Sequence, residues 1–215
     1  MRMRTPKTRK IAHLTREKIL AVSGRVFNRR GYHGTTLDDI GDALGVRKAA
    51  LYYHVKNKEE LLFQCHLAAV DIGMEGFRRA LAQPGTPDEH LRAALAYYIE
   101  EMADQLKGTV VLLEDGALSP DLHARIVERR DEYERTLRQV IADGVAAGIF
   151  VACDPKIVAF AVLGAIHWIP KWYQQGGPCS AKEIAETFSA YLVRGLQKRP
   201  ALEFLSLPPV ANERY

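Results

Sequence analysis

The segment from Gly45 to Leu62, GVRKAALYYHVKNKEELL, combines basic and aromatic side chains at close spacing. Such cations bind phosphate oxygens and the acceptor edges of bases, and tyrosines add hydroxyl and ring contacts. Small alanines would let the backbone come close to the same surface. The residues that qualify are Arg47, Lys48, Ala50, Tyr52, Tyr53, His54, Lys56 and Lys58. The alternative interpretation is a solvated basic helix with one of the two tyrosines packed inward.

Charge is distributed unevenly along the chain. Residues 1–60 contain 14 Lys and Arg against 6 Asp and Glu, whereas the remaining residues contain 16 against 20, and the net charge is +4. A basic N-terminal part on a mildly acidic body predicts a polyanion partner for the first part only. The N-terminal arm would add phosphate affinity that does not depend on base sequence. Its cations are Arg2, Arg4, Lys7, Arg9 and Lys10.

The sequence that positions these residues predicts helices along almost the whole chain. Capping residues precede acids by three positions at Thr36, Asn57, Thr86 and Ser180, and apolar residues recur at spacings of three and four. No strand alternation of useful length occurs. We predict an all-α fold with about nine helices, near residues 15–30, 37–44, 47–54, 57–83, 87–107, 110–118, 120–147, 155–174 and 181–197. Pro170 is expected to kink or end the eighth helix near residues 166–169.

The second and third predicted helices form a helix-turn-helix. A tight turn at Gly45-Val46 separates them, and apolar residues such as Ile40 and Leu51 would hold them against the first helix. In this motif the second helix of the pair enters the DNA major groove. Lys48 and Arg47 could then reach guanine, while Thr35 and Thr36 offer hydroxyls and N–H groups to a phosphate.

The stretch GYHGTTLDDIGDALGVRKAALYYHVKNKEELL, residues 31–62, resembles the DNA-binding region of the TetR (tetracycline-repressor) family. The resemblance implies an all-α homodimeric transcriptional regulator, most simply a repressor, that binds double-stranded operator DNA and a small-molecule effector. Positions that contact DNA in that family fall on Thr35, Thr36, Lys48, Ala50, Tyr52, Tyr53, His54 and Lys58. The doubled cation Arg47-Lys48 departs from the small or neutral pair of many members.

The resemblance and the helix pattern together predict the division of the chain. Residues 1–56 would form the DNA-binding domain with its basic arm, residues 57–200 the ligand-binding and dimerisation domain, and residues 201–215 a tail. The last two helices, about 155–174 and 181–197, have wide apolar stripes with Ala and Gly positions that permit close approach. Two such helices from each of two chains would form a four-helix homodimer interface.

The C-terminal half is similar to TetR family members that sense acyl-CoA thioesters. The similar pieces are Leu-Ser-Pro before the long helix, Arg-Arg-Asp-Glu-Tyr within it, and the Trp168 to Tyr173 region. This implies an acyl-CoA effector, with candidate ligand-binding residues Tyr98, Met102, Arg129, Tyr133, His167, Trp168, Lys171 and Trp172. Lys171 and Gln174 stand where arginine is common, which weakens phosphate binding.

Two alternatives remain for this half. The tryptophans suit a dimer interface as well as a ligand site, because large aromatics at helical spacing usually pack. The effector could instead be a drug or antibiotic that enters an apolar pocket without CoA.

Other function classes have little support. No phosphate-binding glycine loop, nucleophile elbow, HExxH or CxxC occurs, and the histidines lack metal-ligand spacing. We therefore expect no enzyme, no cofactor and no metal. No run of 18 apolar residues occurs, so no membrane partner is expected. Three distant cysteines, Cys65, Cys153 and Cys179, are typical of a reducing cytoplasm.

Overall fold

The computed structural model describes residues 14–104, 115–174 and 176–198. Eight α-helices lie within them: α1 (Arg16–Arg30), α2 (Leu37–Leu44), α3 (Lys48–Leu51), α4 (Lys58–Leu81), α5 (Pro87–Asp104), α6 (Pro120–Ala146), α7 (Pro155–Trp172) and α8 (Ala181–Leu196). A 3₁₀ turn, Asp115–Ala117, precedes α6, and no strand occurs among the described residues. The all-α prediction is confirmed, and eight helices are close to the nine expected. The basic arm, the tail and most of the helix expected at 110–118 lie outside the described residues.

Helix starts follow the capping signals of the sequence. The Thr36 and Ser180 hydroxyls each accept a hydrogen bond from an N–H of the first turn, and the acids three residues later accept from the capping N–H groups. Asn57 Oδ1 accepts from the Glu60 N–H at 2.7 Å and starts α4. Because these contacts are local, residue types alone were enough to predict them.

The turn between α2 and α3 depends on two glycines. Gly45 has φ 70° and ψ 28°, the left-handed conformation that favours glycine. A Cβ at Gly41 would lie 3.0 Å from the Val46 carbonyl oxygen, a tight contact that the turn would have to relax to accommodate. Ile40 and Leu51 are fully buried beneath the pair, together with Ile19 and Phe27 of α1. The predicted helix-turn-helix packing is confirmed.

Helix α3, the second helix of the helix-turn-helix, is shorter than predicted. Regular α-helix covers Lys48–Leu51 rather than residues 47–54. The backbone continues as hydrogen-bonded turns, with the His54 and Val55 N–H groups both donating to the Leu51 carbonyl, at 2.8 and 3.0 Å. Tertiary packing of Leu51 and Val55, both buried, fixes where the chain leaves the helix.

Pro170 does not end α7 near residues 166–169, and that part of the prediction is wrong. The helix continues to Trp172, and the Tyr173 N–H closes the last turn on the Ile169 carbonyl at 2.9 Å. The residues beyond a proline can keep their own helical hydrogen bonds, since proline removes only its own donor.

In the body, α5 packs against α4 and α8, while α6 packs against α4, α5 and α7. Helix α4 also packs on α1, so its apolar face is shared between the two halves of the chain. Helix α4 approaches α6 closely at Gly73. A Cβ there would lie 2.5 Å from Tyr133 Cε2, and Tyr133 is buried against Phe77 and Tyr98.

We therefore expect Gly73→Ala to destabilise the fold. The gain in helix propensity is about 1 kcal/mol, but overpacking a buried ring costs about 1–3 kcal/mol. Urea unfolding should show a net loss, and the double variant Gly73→Ala/Tyr133→Leu should recover part of it relative to Tyr133→Leu alone. An alanine at position 73 that stabilises the protein would contradict this packing.

Candidate functional site

The surface formed by α3 and the turn after it carries most of the residues expected to contact DNA. Leu51 and Val55 anchor it from below, and the residues between them project outward. Tyr52 is 51% exposed and Tyr53 90% exposed, so neither tyrosine is packed inward. Arg47 and His54 are also exposed, and Ala50 is partly exposed. We call these residues, with Lys48, the recognition surface.

Lys48 is held at the start of α3 by an acid of α2. Its Nζ lies 3.1 Å from Asp38 Oδ2 and 5.9 Å from the centre of the Tyr52 ring. The hydrogen bond from Lys48 to Asp38 is the main reason why the pKa of Lys48 is raised, with further contributions from the charge of Asp38 and from Tyr52. The cation predicted to contact bases is thus held on the exposed side of the unit formed by α1, α2 and α3. We call this unit the head.

Three other predicted DNA contacts are already hydrogen-bonded within the protein: Thr35 is buried, Thr36 is exposed and Lys58 is partly buried. Thr35 is fully buried, and its hydroxyl donates to the Gly31 carbonyl at 2.7 Å. The Thr36 hydroxyl and N–H are both bound to Asp39. Lys58 Nζ donates to the carbonyls of Tyr32 and Thr35 at 2.8 and 2.7 Å. Phosphate contacts by these side chains would require exchange of those bonds, and they stay predictions.

Four helices bring an aromatic cluster together in the body. The Tyr98 ring of α5 stacks on Tyr133 of α6, with centroids 6.1 Å apart, and lies 6.1 Å from the His167 ring of α7. Phe77 of α4 packs on Tyr133 at 5.7 Å. Met102, one turn along α5 from Tyr98, is also buried. Three of the eight predicted ligand residues are therefore neighbours.

Electrostatics keep this cluster neutral. Burial, and secondarily the positive charge of Arg130, lower the pKa of His167 to about 4. Burial raises the pKa of both Tyr98 and Tyr133. Near neutral pH the cluster therefore presents uncharged hydroxyl and imidazole groups beside aromatic faces. Such groups can bind a polar but uncharged part of a ligand, for example a carbonyl.

The remaining predicted ligand residues lie elsewhere. Arg129 pairs with Asp71 of α4 at 2.9 Å and with Glu132. Trp168 is 63% exposed, Lys171 is exposed, and Trp172, 44% exposed, stacks on Phe188 of α8. In a single chain these tryptophans form part of an outer surface of α7 and α8.

Sequence reasoning missed two members of the body site. Phe77 packs on Tyr133, and His66 Nδ1 lies 3.2 Å from Arg130 Nη2, which ties α4 to α6. His66 and Phe77 lie three helical turns apart on the buried face of α4. The apolar face of α4 could have indicated that these residues are buried. It does not indicate which helix packs against them.

Helices α4 and α6 are joined by further polar contacts. Glu59, in the first turn of α4, accepts from the Ser119 N–H at 2.6 Å, and this bond is the main reason why the pKa of Glu59 is lowered. Ser119 begins α6 without a side-chain capping bond of its own. The Arg125 guanidinium lies 4.7 Å from the centre of the Phe63 ring. The start of α6 is thus bonded to the helix that leaves the head.

Comparison with known proteins decides the family. The family described as "Bacterial regulatory proteins, tetR family" matches residues 19–65, and "Tetracyclin repressor-like, C-terminal domain" matches residues 84–196. The chain belongs to the TetR family. It is a helix-turn-helix transcriptional regulator, as its TetR-like head indicated.

Relatives in the TetR family match over most of their length. The HTH-type transcriptional repressor KstR2 of Mycolicibacterium smegmatis is 24% identical over 184 residues, which cover 84% of this chain and 90% of KstR2. The structure of PfmR from Thermus thermophilus has a TM-score of 0.71 and 31% identity, and covers 84% of this chain and all of PfmR. AibR in complex with isovaleryl coenzyme A and operator DNA has a TM-score of 0.67 and 28% identity, covering 83% of this chain and 96% of AibR.

Two negative findings concern only the described residues. None of their helices has the length and apolar character needed to cross a membrane. Their His, Cys, Asp and Glu side chains form no group of three or more that could hold a metal ion.

We expect Lys58→Met to weaken the head itself. It removes two hydrogen bonds from a charged group and a contact 4.2 Å from the Tyr32 ring centre, and should cost about 1–3 kcal/mol of unfolding free energy. Lys56→Met is the matched control: Lys56 is exposed, and its change should stay within about 0.5 kcal/mol. If Lys58→Met instead leaves stability unchanged and flattens the salt dependence of DNA binding, Lys58 acts as a phosphate contact.

Proposed function

We propose that this TetR family protein is a repressor that binds a palindromic operator through its recognition surface and is released by a small molecule. The observation that carries the proposal is the exposure of the recognition surface above a fully buried Leu51. Exposed tyrosines beside cations at the N-terminal end of a helix suit insertion into a major groove. The head is also the basic part of the chain, as phosphate binding requires.

The proposed DNA-reading unit is a homodimer. Large apolar side chains lie exposed on the outer surface of α7 and α8, including Ile157, Phe160, Trp168, Trp172 and Tyr191. Gly164 and Gly195 face open space in the single chain, so a partner helix could approach there. A two-fold axis through this surface would present two heads to successive major grooves, about 34–36 Å apart.

Communication between body and head would follow α4. This helix starts at Asn57, the proposed boundary between the DNA-binding domain of residues 1–56 and the ligand-binding domain of residues 57–200. Its contacts with α6 at Glu59, Phe63 and Asp71 join the head to the aromatic cluster. An effector that binds one arrangement of α4 and α6 more tightly would shift the population of heads that fit the operator.

The proposed effector is an acyl-CoA thioester. The similarity to AibR, whose structure contains isovaleryl coenzyme A, supports this class. The neutral, aromatic cluster of Tyr98, Tyr133 and His167 suits an acyl group and its carbonyl. Lys171 and Arg129 are the proposed phosphate contacts, although Arg129 would have to exchange its pairing with Asp71. A drug or antibiotic sensor is the second candidate, because the same cluster would accept an uncharged aromatic ligand.

Two further proposals concern catalysis and location in the cell. We propose that the protein acts without catalysing a reaction, since its two sites serve binding and the coupling between them. A regulator of this kind works where the DNA is, and we propose the cytoplasm as its location.

Lys48→Ala and Tyr52→Ala should each weaken binding to an operator selected in vitro by about 1–3 kcal/mol, if both side chains contact bases or nearby phosphates. Fluorescence anisotropy on labelled DNA measures the affinity, and thermal unfolding confirms that the variants are folded. Arg92→Ala, an exposed change on α5 in the body, is the control and should bind as the parent does. Operator binding that is unchanged in both head variants would show that the recognition surface is misassigned.

The effector proposal is tested by titrating the protein–operator complex with acyl-CoAs, the matching free acids and hydrophobic cations. We expect release by CoA thioesters alone. Lys171→Ala should raise the concentration needed for half-release about tenfold through the loss of a charged contact to phosphate. Lys182→Ala, which removes an exposed lysine of α8, should leave that concentration unchanged. Release by hydrophobic cations with no response to any thioester would favour the drug-sensor candidate.

A further inference from the structure

An exposed acid stands on the surface that is proposed to meet DNA. Asp38 lies in the first turn of α2, and its side chain is 65% exposed. Capping does not explain it, because the capping box of α2 uses Thr36 and Asp39. Its one ion pair within the described part of the chain is with Lys48 Nζ, at 3.1 Å.

A carboxylate at this place has a definite electrostatic effect. It repels the phosphates of any DNA that approaches the head, whatever the base sequence, and it neutralises a cation that would otherwise attract them. An acid in the first turn of α2 favours the positive end of the helix dipole, but beside Lys48 it gives no gain in DNA affinity. Specificity, however, depends on the difference between affinities, and it can be raised by penalising the wrong partners.

Arg47, the cation next to Lys48, differs from Lys48 in having no acid paired with it among the described residues. Arg47 and Lys48 are adjacent, but Arg47 is exposed and forms no ion pair with any described residue. Arg47 is therefore available to phosphates of any DNA. Lys48 has three donors, and Asp38 accepts from one of them, while the partly exposed side chain lies beside Tyr52. A lysine held in this way can donate to the O6 and N7 of a guanine without giving up its acid, but it adds little to phosphate attraction.

We propose that Asp38 is a specificity-determining residue, which holds Lys48 for base contact and lowers the affinity of the head for DNA without the operator sequence. This rests on the proposed role of Lys48 as a base-reading side chain. Asp38 acts through Lys48 and through its own charge, so its removal changes the ratio of specific to non-specific affinity.

The test compares Asp38→Asn with Asp42→Asn, each alone and on a Lys48→Met background. Asp42 is one turn farther along α2, exposed, and forms no ion pair with a described residue, so it reports the general effect of removing one negative charge. Affinities are measured for an operator selected in vitro and for unrelated DNA of equal length, over a series of salt concentrations. Thermal unfolding confirms that each variant is folded.

Asp38→Asn should raise affinity for unrelated DNA about threefold, the effect of freeing one exposed ion pair. The slope of log K against log[salt] for unrelated DNA should steepen by about 0.9, the value for one additional phosphate contact. Operator affinity should change less, so the specificity ratio falls. Asp42→Asn should act equally on both DNAs. On the Lys48→Met background Asp38→Asn should behave as Asp42→Asn does.

Three results would overturn the inference, and only the second also contradicts the proposed role of Lys48. If Lys48→Met weakens operator binding but Asp38→Asn matches Asp42→Asn on both DNAs, Asp38 has no special role and the proposed recognition surface stands. If Lys48→Met leaves operator binding intact, both the role of Lys48 and the inference built on it are wrong. An Asp38→Asn effect that persists at full size on the Lys48→Met background also contradicts action through Lys48.

Discussion

Helix α4 runs through one continuous hydrophobic core that joins the N-terminal helices to the body, and this shared packing constrains the rest of the molecule. Its first turns bury Leu61 and Leu62, and the Cys65 thiol contacts the Leu20 carbonyl of α1 at 3.7 Å. Burial raises the pKa of this thiol to about 12, so it stays protonated and inert. Farther along, Phe77 packs in the aromatic cluster of the body. Because α4 packs on α1 as well as on α5 and α6 within this core, the head cannot turn relative to the body without repacking contacts of α4.

The two exposed surfaces differ in a way that matches their proposed partners. The recognition surface is polar and cationic, with aromatics that carry hydroxyls, and it suits a hydrated polyanion. The outer surface of α7 and α8 exposes Trp168, Phe160 and Tyr191 among small residues, which suits an apolar partner of the same kind. Neither surface is explained by the packing of a single chain, and both support the proposed homodimer that binds DNA.

The sequence was most informative where the physics is local. Capping pairs such as Thr36 with Asp39, and the left-handed Gly45, depend on a few neighbouring residues and were predictable. The surroundings of Lys58 were not predictable, because its ammonium group donates hydrogen bonds to carbonyls 23 and 26 residues away in the chain. Trp168 and Trp172 show the same limit, because apolar residues at helical spacing look alike in a pocket and at an interface.

The bond from Glu59 to the Ser119 N–H has a consequence for how the regulator behaves in a cell. The residue that begins α6 is thus held by a carboxylate of the helix that carries the head, so a shift of either helix affects the other. Coupling between two binding sites is reciprocal. If the effector lowers the affinity for operator DNA by some factor, operator DNA lowers the affinity for the effector by the same factor. Protein bound at its operator would then respond at a higher effector concentration than protein free of DNA. Protein free of DNA would bind effector first, and protein bound at the operator would be released only after the free protein is saturated.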